Sequence, residues 1–298
     1  LNPYLFTMAN IRDQCSWVHM EEREEATAKA KDLVAMAVGK VTFAKQLIRE
    51  KISVYKSALV IGGGMAGMSA ALEIAGMGYQ VYLVERTASL GGNALKLGYS
   101  PTGRKYRTYI LKYIEEVSKH PLIEVFLNTE VKHIDGYVGK FSTLLQDAGG
   151  ETEIQHGAVI VATGAIERRP KEYLYGSDDR VITQMELEDK LGSGEFNANE
   201  VRNAVMIQCV GSREEGRPYC SRVCCSQAVK NALYLKNMNP DLNIIILYRD
   251  IRAYGLNEIN YRAARKAGIQ FVRYEPGNKP QVGTEGEKLS VNVYEPII

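Results

Sequence analysis

Two groups of residues in this 298-residue chain have the types and the spacing to do chemistry. The first group is glycine. Gly62, Gly64 and Gly67 fall in the register G-x-G-x-x-G directly after Ala58-Leu59-Val60-Ile61, an apolar run of the kind a buried strand makes. In that register the first glycine turns the chain sharply and the second lets backbone approach a pyrophosphate. The third lets the following helix pack closely on the strand. That helix, Met65 to Gly76, aims its free N–H groups and positive dipole end at the phosphates. A second strand, Gln80 to Val84, ends in Glu85, where an acid accepts hydrogen bonds from both ribose hydroxyls. A plain glycine-rich turn is the alternative, but strand, turn, helix, strand and acid arrive in order, and the stretch predicts a dinucleotide site. Leu90-Gly91-Gly92-Asn93 places a second glycine pair just after the acid, and Val159-Ile160-Val161-Ala162-Thr163-Gly164 is another buried strand ending in a tight turn. Both features point to FAD rather than NAD.

The second group is cysteine. Cys209, Cys220, Cys224 and Cys225 are spaced C-x10-C-x3-C-C, with Cys209 ending a strand and Cys220 and Cys224 flanking the start of a helix. All four sulfurs are therefore placed at one end of a sheet. Four soft thiolates suit an iron–sulfur cluster or zinc. Neither C-x-x-C nor the bacterial ferredoxin run occurs, which argues against a thioredoxin-type dithiol. A [4Fe–4S] cluster, zinc and unligated buried or redox thiols all remain open on spacing alone.

These residues need a scaffold, and the chain is long enough to bury one large or two moderate cores. Hydrophobic residues make up 45% and charged ones 24%, and the formal net charge of +2 gives no reason to expect nucleic acid as a partner. No signal peptide or membrane-spanning run is present, and five cysteines do not form a secreted disulfide framework, so a reducing cytoplasm is expected. The chain opens on Leu1 rather than methionine and closes on Val-Tyr-Glu-Pro-Ile-Ile, which reads as part of something longer or as a processed product.

Residues 1–54 read as an arm followed by a long helix from Glu21 to Arg49, with Ala26, Ala30, Leu33, Ala37, Val41, Ala44 and Ile48 forming one stripe and Gly39 a candidate break. Within the arm, Cys15 reads as a small buried hydrophobe. Residues 55–170 hold the FAD unit, with a helix around Tyr106–Val117, a strand at Ile123–Leu127 and a hairpin of Val131–Ile134 with Lys140–Leu145. The tyrosines of Tyr99–Tyr113 read as packing residues rather than ring-stacking ones. A polar linker, 171–200, carries one short helix near Glu186–Leu191. Residues 201–298 form a second βαβαβ unit: strand 204–208, helix Val223–Lys236, strand Asn243–Tyr248, helix Leu256–Ala267 and strand Ile269–Arg273. Its first turn offers cysteines where a pyrophosphate needs glycines, so this half is not expected to bind NAD(P)H.

The segments N-I-R-D-Q-C-S-W-V-H (10–19), V-I-G-G-G-M-A-G-M-S-A-A (60–71), Q-C-V-G-S-R (208–213), Y-C-S-R-V-C-C (219–225) and I-L-Y-R-D-I-R (246–252) resemble the family of heterodisulfide reductase A subunits, the HdrA-like flavin and iron–sulfur proteins. The flavin subunit of the quinone-interacting oxidoreductase of sulfate reducers is a close cousin. The resemblance implies an α/β fold with two Rossmann-like nucleotide-binding domains, arranged as in thioredoxin and glutathione reductases, behind an N-terminal helical arm. It implies FAD contacts from Gly62, Gly64, Met65, Ala66, Gly67, Glu85, Arg86, Gly91, Gly92, Asn93, Val131, Ala162, Thr163 and Gly164. It also implies a [4Fe–4S] cluster on Cys209, Cys220, Cys224 and Cys225, with Cys15 as one ligand of another cluster completed from upstream. Three departures stand out: no ferredoxin-like insertion within Val131–Ala162, no upstream cysteine region and no downstream return to the flavin domain.

The reading is an electron-transfer oxidoreductase subunit of a heterodisulfide reductase-like complex, taking electron pairs at FAD, with splitting between high- and low-potential carriers as one mode. Other subunits of the complex and donors such as hydrogenase, formate dehydrogenase or ferredoxin are the expected partners. A homodimer is expected too, with no nucleic acid and no direct membrane span. The alternatives are a pyridine nucleotide–disulfide oxidoreductase and a non-catalytic assembly scaffold.

Overall fold

The first turn of α1 (Arg23–Thr42) carries Glu24 and Glu25 and its last turn Lys40, the polarity the helix dipole favours. A computed structural model describes residues 2–100 and 104–295 of the chain. Leu1 and the closing Pro-Ile-Ile, which bear on the reading of the chain as part of something longer, lie outside the described residues. Residues up to Ser53 form one compact unit and those from Val54 onward another.

In the first unit a single π-helical turn over Arg12–Ser16 precedes α1. Cys15 is buried there and its thiol donates to the Ala26 carbonyl at 2.7 Å. The stripe of Ala26, Ala30, Leu33, Ala37 and Val41 is the half-covered face of α1. Helix α1 is shorter than the sequence pattern suggests: it runs through Gly39 without a break and stops at Thr42. A lone glycine costs a helix only about 1 kcal/mol. Beyond Phe43 the apolar residues find no core, with Ile48 80% exposed, and a helix without a buried face does not persist.

The second unit begins with a four-stranded parallel sheet built from β1 (Ser57–Ile61), β2 (Gln80–Val84), β3 (Ile123–Phe126) and β7 (Ala158–Val161), in the order β3-β2-β1-β7. Helices α2 (Met65–Gly76) and α3 (Tyr106–Lys119) cover one face, where Met68, Ala71 and Val117 pack on Val60, Val81 and Leu83. The other face carries Leu59 and Val84 against Leu145 and Ile154 of an antiparallel sheet, β4 (Glu130–Tyr137), β5 (Lys140–Asp147) and β6 (Gly150–His156). The expected hairpin is therefore a three-stranded meander. Its third strand, G-E-T-E-I-Q-H, is hard to see in sequence because only Ile154 and His156 are buried along it.

The chain then crosses through α4 (Gln184–Ser193), capped by Thr183 and Glu186 bonding each other's backbone, to a second parallel sheet. That sheet is β8 (Asn203–Ile207), β9 (Asn243–Tyr248) and β10 (Gln270–Arg273), in the order β10-β9-β8. Helices α5 (Cys224–Met238) and α6 (Asn257–Lys266) serve it: Ala228, Val229, Ala232 and Leu235 of α5 and Ala264 of α6 pack with Ile244 and Ile246, and Leu187 and Leu191 of α4 join this core. A closing hairpin, β11 (Gln281–Glu285) and β12 (Lys288–Asn292), turns on Gly286.

Candidate functional site

The parallel sheet reverses its order at β1: β2 and β3 extend to one side and β7 to the other. Ligands of such sheets bind in the crevice at the carboxyl ends of the strands where this reversal occurs. Every glycine of the motif stands at that crevice. Gly62 has φ +111, and a Cβ on it would meet the Ala162 carbonyl oxygen at 2.3 Å. On Gly67 a Cβ would sit 1.8 Å from the Gly62 carbonyl oxygen, so α2 packs on the turn only because both residues are bare. Gly64 is different. Its φ is −75, which any residue adopts, and a Cβ there would meet nothing within 4 Å. Neither backbone nor packing requires glycine at 64, so the space beside it fits a group from outside the chain, as a pyrophosphate at the N-terminus of α2 would be.

The walls come from the other predicted residues. Gly91 donates its N–H to Gly63 at 2.8 Å, and Gly92 lies against Gly64. Asn93 Nδ2 donates to the Ala165 carbonyl at 2.7 Å and so ties the glycine pair to the turn after β7. Beyond it Thr163 and Gly164 are exposed, and the apolar side chains of Val161 and Ile166 are 71% and 77% exposed. Apolar surface at the mouth of the crevice suits a flat aromatic ring. Met65 and Ala66 form the first turn of α2, Met65 half-buried and Ala66 exposed. Arg86 is exposed next to Glu85. Val131 lies one residue after the start of β4, and its side chain packs into the core behind the sheet with Leu59 and Val84.

Glu85 is buried, and its carboxylate is already engaged. Oε2 accepts from the Gly63 N–H at 2.7 Å, and Oε1 accepts from the Thr87 N–H at 2.9 Å and the Thr87 hydroxyl at 2.8 Å. Burial pushes this carboxyl up, but those donors outweigh it and hold it below the ordinary range. Thr87 and Gly63 thus brace the Glu85 carboxylate, a contact that motif spacing does not reveal. The signal is a hydroxyl residue two positions after the acid.

The cysteine segment lies at the end of β8. Cys209 has φ +61, and Arg213 and Arg222 also hold positive φ, so strained backbone concentrates in this turn. Cys209 and Cys225 are buried, Cys220 and Cys224 partly so, and all are free thiols. Cys209, Cys224 and Cys225 are close enough to shift one another's ionisation. Cys225 donates its thiol to Cys224, which brings Cys224 down to about 6, while Cys225 itself is pushed up. Burial raises Cys209. Cys220 stands apart, its sulfur accepting from the Arg222 N–H at 3.3 Å. Among the described residues no three His, Cys, Asp or Glu are gathered to hold a metal ion.

What surrounds the turn is cationic. Arg213 Nη1 lies 3.9 Å from Cys209 Sγ, and its other end pairs with Asp250. Arg249 donates to the carbonyls of Ser212 at 3.2 Å and Arg213 at 2.8 Å, and its Nε is a buried donor with no partner. Arg168 covers Gly211. Cys209, Cys224 and Cys225 are neighbours at the strand-to-helix turn and Cys220 does not join them, so among the described residues the four thiols are not gathered into one ligand set.

Residues 56–203 match the family described as pyridine nucleotide-disulphide oxidoreductase. The thioredoxin reductase of Lactococcus lactis shares the fold, with a TM-score of 0.50 over 80% of this chain and 75% of that one, at 18% identity. The A subunit of the H2:CoB-CoM heterodisulfide, ferredoxin reductase of Methanothermobacter thermautotrophicus is 34% identical over 93% of this chain and 56% of its own length. The chain is homologous to the A subunits of heterodisulfide reductases. Another of them, from the ferredoxin/F420H2-dependent CoB-CoM heterodisulfide reductase of Methanosarcina acetivorans, is 32% identical over 92% of this chain and 46% of its own. This chain spans about half the length of the A subunits it matches. The alignment with the Methanothermobacter protein runs over 369 positions, more than the 298 residues here, so that protein carries residues with no counterpart in this chain.

Proposed function

We propose that the chain is the flavin-binding portion of an electron-transfer oxidoreductase within a heterodisulfide reductase-like complex. It holds FAD in the glycine crevice and a [4Fe–4S] cluster on Cys209, Cys220, Cys224 and Cys225. The observation that carries this reading is Gly64, a glycine that nothing in the chain explains, at the point where the sheet reverses. FAD supplies electron-pair chemistry and the cluster single-electron transfer. This chain's residues supply the rest. Gly62 and Gly67 shape the turn, the N-terminus of α2 faces the pyrophosphate, and Glu85 sets the ribose edge. Gly91, Gly92 and Asn93 close the wall against Ala162–Gly164, and Arg86 and the backbone near Val131 flank the nucleotide end. Cys15, whose thiol faces Ala26, serves as a ligand of a second cluster only once deprotonated.

Other proteins of such a complex, a second copy of the chain, and donors such as hydrogenase, formate dehydrogenase or ferredoxin belong to this reading, as does a cytoplasmic location. The names of the relatives include ferredoxin and F420H2. The family match over 56–203 favours one second reading, a pyridine nucleotide–disulfide oxidoreductase working alone. The test is anaerobic purification with flavin, iron and sulfide quantified, followed by mixing with NADH. Bound FAD with iron and sulfide, and no NADH oxidation without partners, supports the proposal. Rapid NADH oxidation by the chain alone supports the second reading, and a chain that binds no flavin at any concentration removes both.

A further inference from the structure

A second concave site lies where the segment before α3 meets α4. A Cβ on Gly98 would sit 3.1 Å from the Glu188 carbonyl oxygen and 3.3 Å from Gly192, so a bare residue at 98 lets that segment lie close on α4. The Tyr106 N–H donates to the Gly98 carbonyl at 3.2 Å and ties the start of α3 to the same place. Beside Gly98 the Tyr99 ring is stacked on Tyr234 of α5, with centroids 4.4 Å apart, which fixes one wall. The space left between this wall, α3 and α4 is a groove of about 240 Å³. Pockets that hold small molecules run from about 300 to 1,000 Å³, so its ligand would be small. None of its lining residues belongs to the glycine crevice.

The lining is cationic. Lys96, which ends the 3-10 turn Gly92–Lys96, shares it with Lys105 and Arg107 at the start of α3, against one carboxylate, Asp189. None of these four is in an ion pair among the described residues. Glu188 next to Asp189 does not offset the cations, because it is buried and paired with Lys230 at 2.5 Å. Helix formation gives no reason for them either. Positive charge at a helix start opposes the dipole, and α3 has neither an acid in its first turn nor a side-chain cap. Leu95, Leu97 and Leu111 add apolar surface to the same lining. Unpaired cations beside an apolar wall suit an anion carried on an apolar body, and a guanidinium fork with two ammonium groups matches the oxygens of a phosphate.

We propose that the groove between the start of α3 and α4 binds a small phosphate-bearing organic molecule. Lys96, Lys105 and Arg107 take its phosphate, and Tyr99 and the leucines take its apolar part. The site is separate from the flavin crevice and stands whether or not FAD binds there.

The experiment is calorimetric titration of the full chain with phenyl phosphate, inorganic phosphate and phenol. Phenyl phosphate should bind saturably and more tightly than inorganic phosphate, and phenol should not bind. Lys105→Gln and Arg107→Gln should each weaken phenyl phosphate about tenfold, since each removes a charge-assisted hydrogen bond. Thr108→Trp, which fills the groove and keeps every cation, should abolish binding. Lys112→Gln, further along α3 at a lysine paired with Glu116 at 3.6 Å, should bind as wild type does. So should Gly64→Ala, which alters only the glycine crevice. Lys105, Arg107, Thr108 and Lys112 are exposed, and circular dichroism checks that each variant folds; where one does not, the others decide. Absence of saturable phenyl phosphate binding, phenol or inorganic phosphate binding as tightly, or affinity indifferent to Lys105→Gln and Arg107→Gln overturns the proposal. An equal loss in Lys112→Gln, which would mark diffuse attraction, or a loss in Gly64→Ala, which would place the phosphate in the glycine crevice, overturns it too.

Discussion

A carboxylate offers about four lone-pair sites, and Glu85 already uses three of them, on the Gly63 N–H, the Thr87 N–H and the Thr87 hydroxyl. Its role therefore reaches beyond any ribose, because it braces the motif turn against β2. Glu85→Gln turns an acceptor into a donor facing an N–H, and loss of hydrogen bonds to a charged group should cost about 1.5–3 kcal/mol of stability. FAD affinity should fall with it, in urea unfolding and flavin titration of the same samples; a variant unchanged in both removes Glu85 from the site. The acid-pH sign follows from its lowered carboxyl: the contribution is complete above about 4.3 and is lost as pH falls through the folded-state value. Gly64 and Gly67 make a sharper pair. Gly64→Ala meets no atom of the chain and should cost no more than about 1 kcal/mol of stability while abolishing FAD binding. Gly67→Ala places a methyl group 1.8 Å from the Gly62 carbonyl and should damage both. Equal FAD affinity in Gly64→Ala and wild type would remove the crevice from consideration.

Single elements show how far sequence reaches. The βαβ run at 57–84 and the second βαβαβ unit follow from apolar runs, helical spacing and glycine punctuation, most clearly at β1, β2 and β9, which are largely buried. Where burial is one-sided the pattern thins, and β6 and the closing hairpin β11–β12, largely exposed, leave little trace in composition. The end of α1 depends on a core that is absent beyond Phe43, which local periodicity does not report. At the site the glycine positions are legible because their spacing follows the dinucleotide register, whereas the cysteine spacing follows no general rule and leaves its centre open. The Thr87 brace and the arginines on the cysteine turn come together only through the fold. His156 belongs to this class: it is buried in the meander, paired with the Thr143 hydroxyl at 2.7 Å and the Ala158 carbonyl at 3.0 Å. Burial holds its imidazole below the ordinary value, so the unfolded chain takes up the proton first. Stability should fall as pH drops below about 6.5 towards the folded-state value. Thermal melts at pH 7 and pH 5.5 should show a smaller pH-dependent drop in His156→Gln than in wild type; identical drops would contradict this account.

At the scale of the whole chain the two halves share a βαβαβ plan and differ in what sits at the first turn. The first sheet has a strand on each side of β1 and thus a crevice, whereas the second, β10-β9-β8, has no strand beyond β8 among the described residues. Its turn carries cysteines and arginines instead of a glycine cradle. NADPH should accordingly show no saturable binding to 201–298, measured by calorimetry on a chain carrying Gly64→Ala to silence the first crevice; saturable binding there would reverse the assignment of the halves. No helix of the described residues is long and apolar enough to cross a membrane. The central claim is that one chain brings a flavin site and a thiolate-bound cluster together. Its most direct test is iron, acid-labile sulfide and FAD per chain after anaerobic reconstitution, with low-temperature EPR of the reduced wild type and of single Cys209, Cys220, Cys224 and Cys225→Ser variants. The account predicts one FAD and about four irons with matching sulfide in the wild type, and loss of the cluster or its decay to a three-iron species in each variant. Stoichiometric zinc without sulfide, or iron content indifferent to all four substitutions, would contradict it.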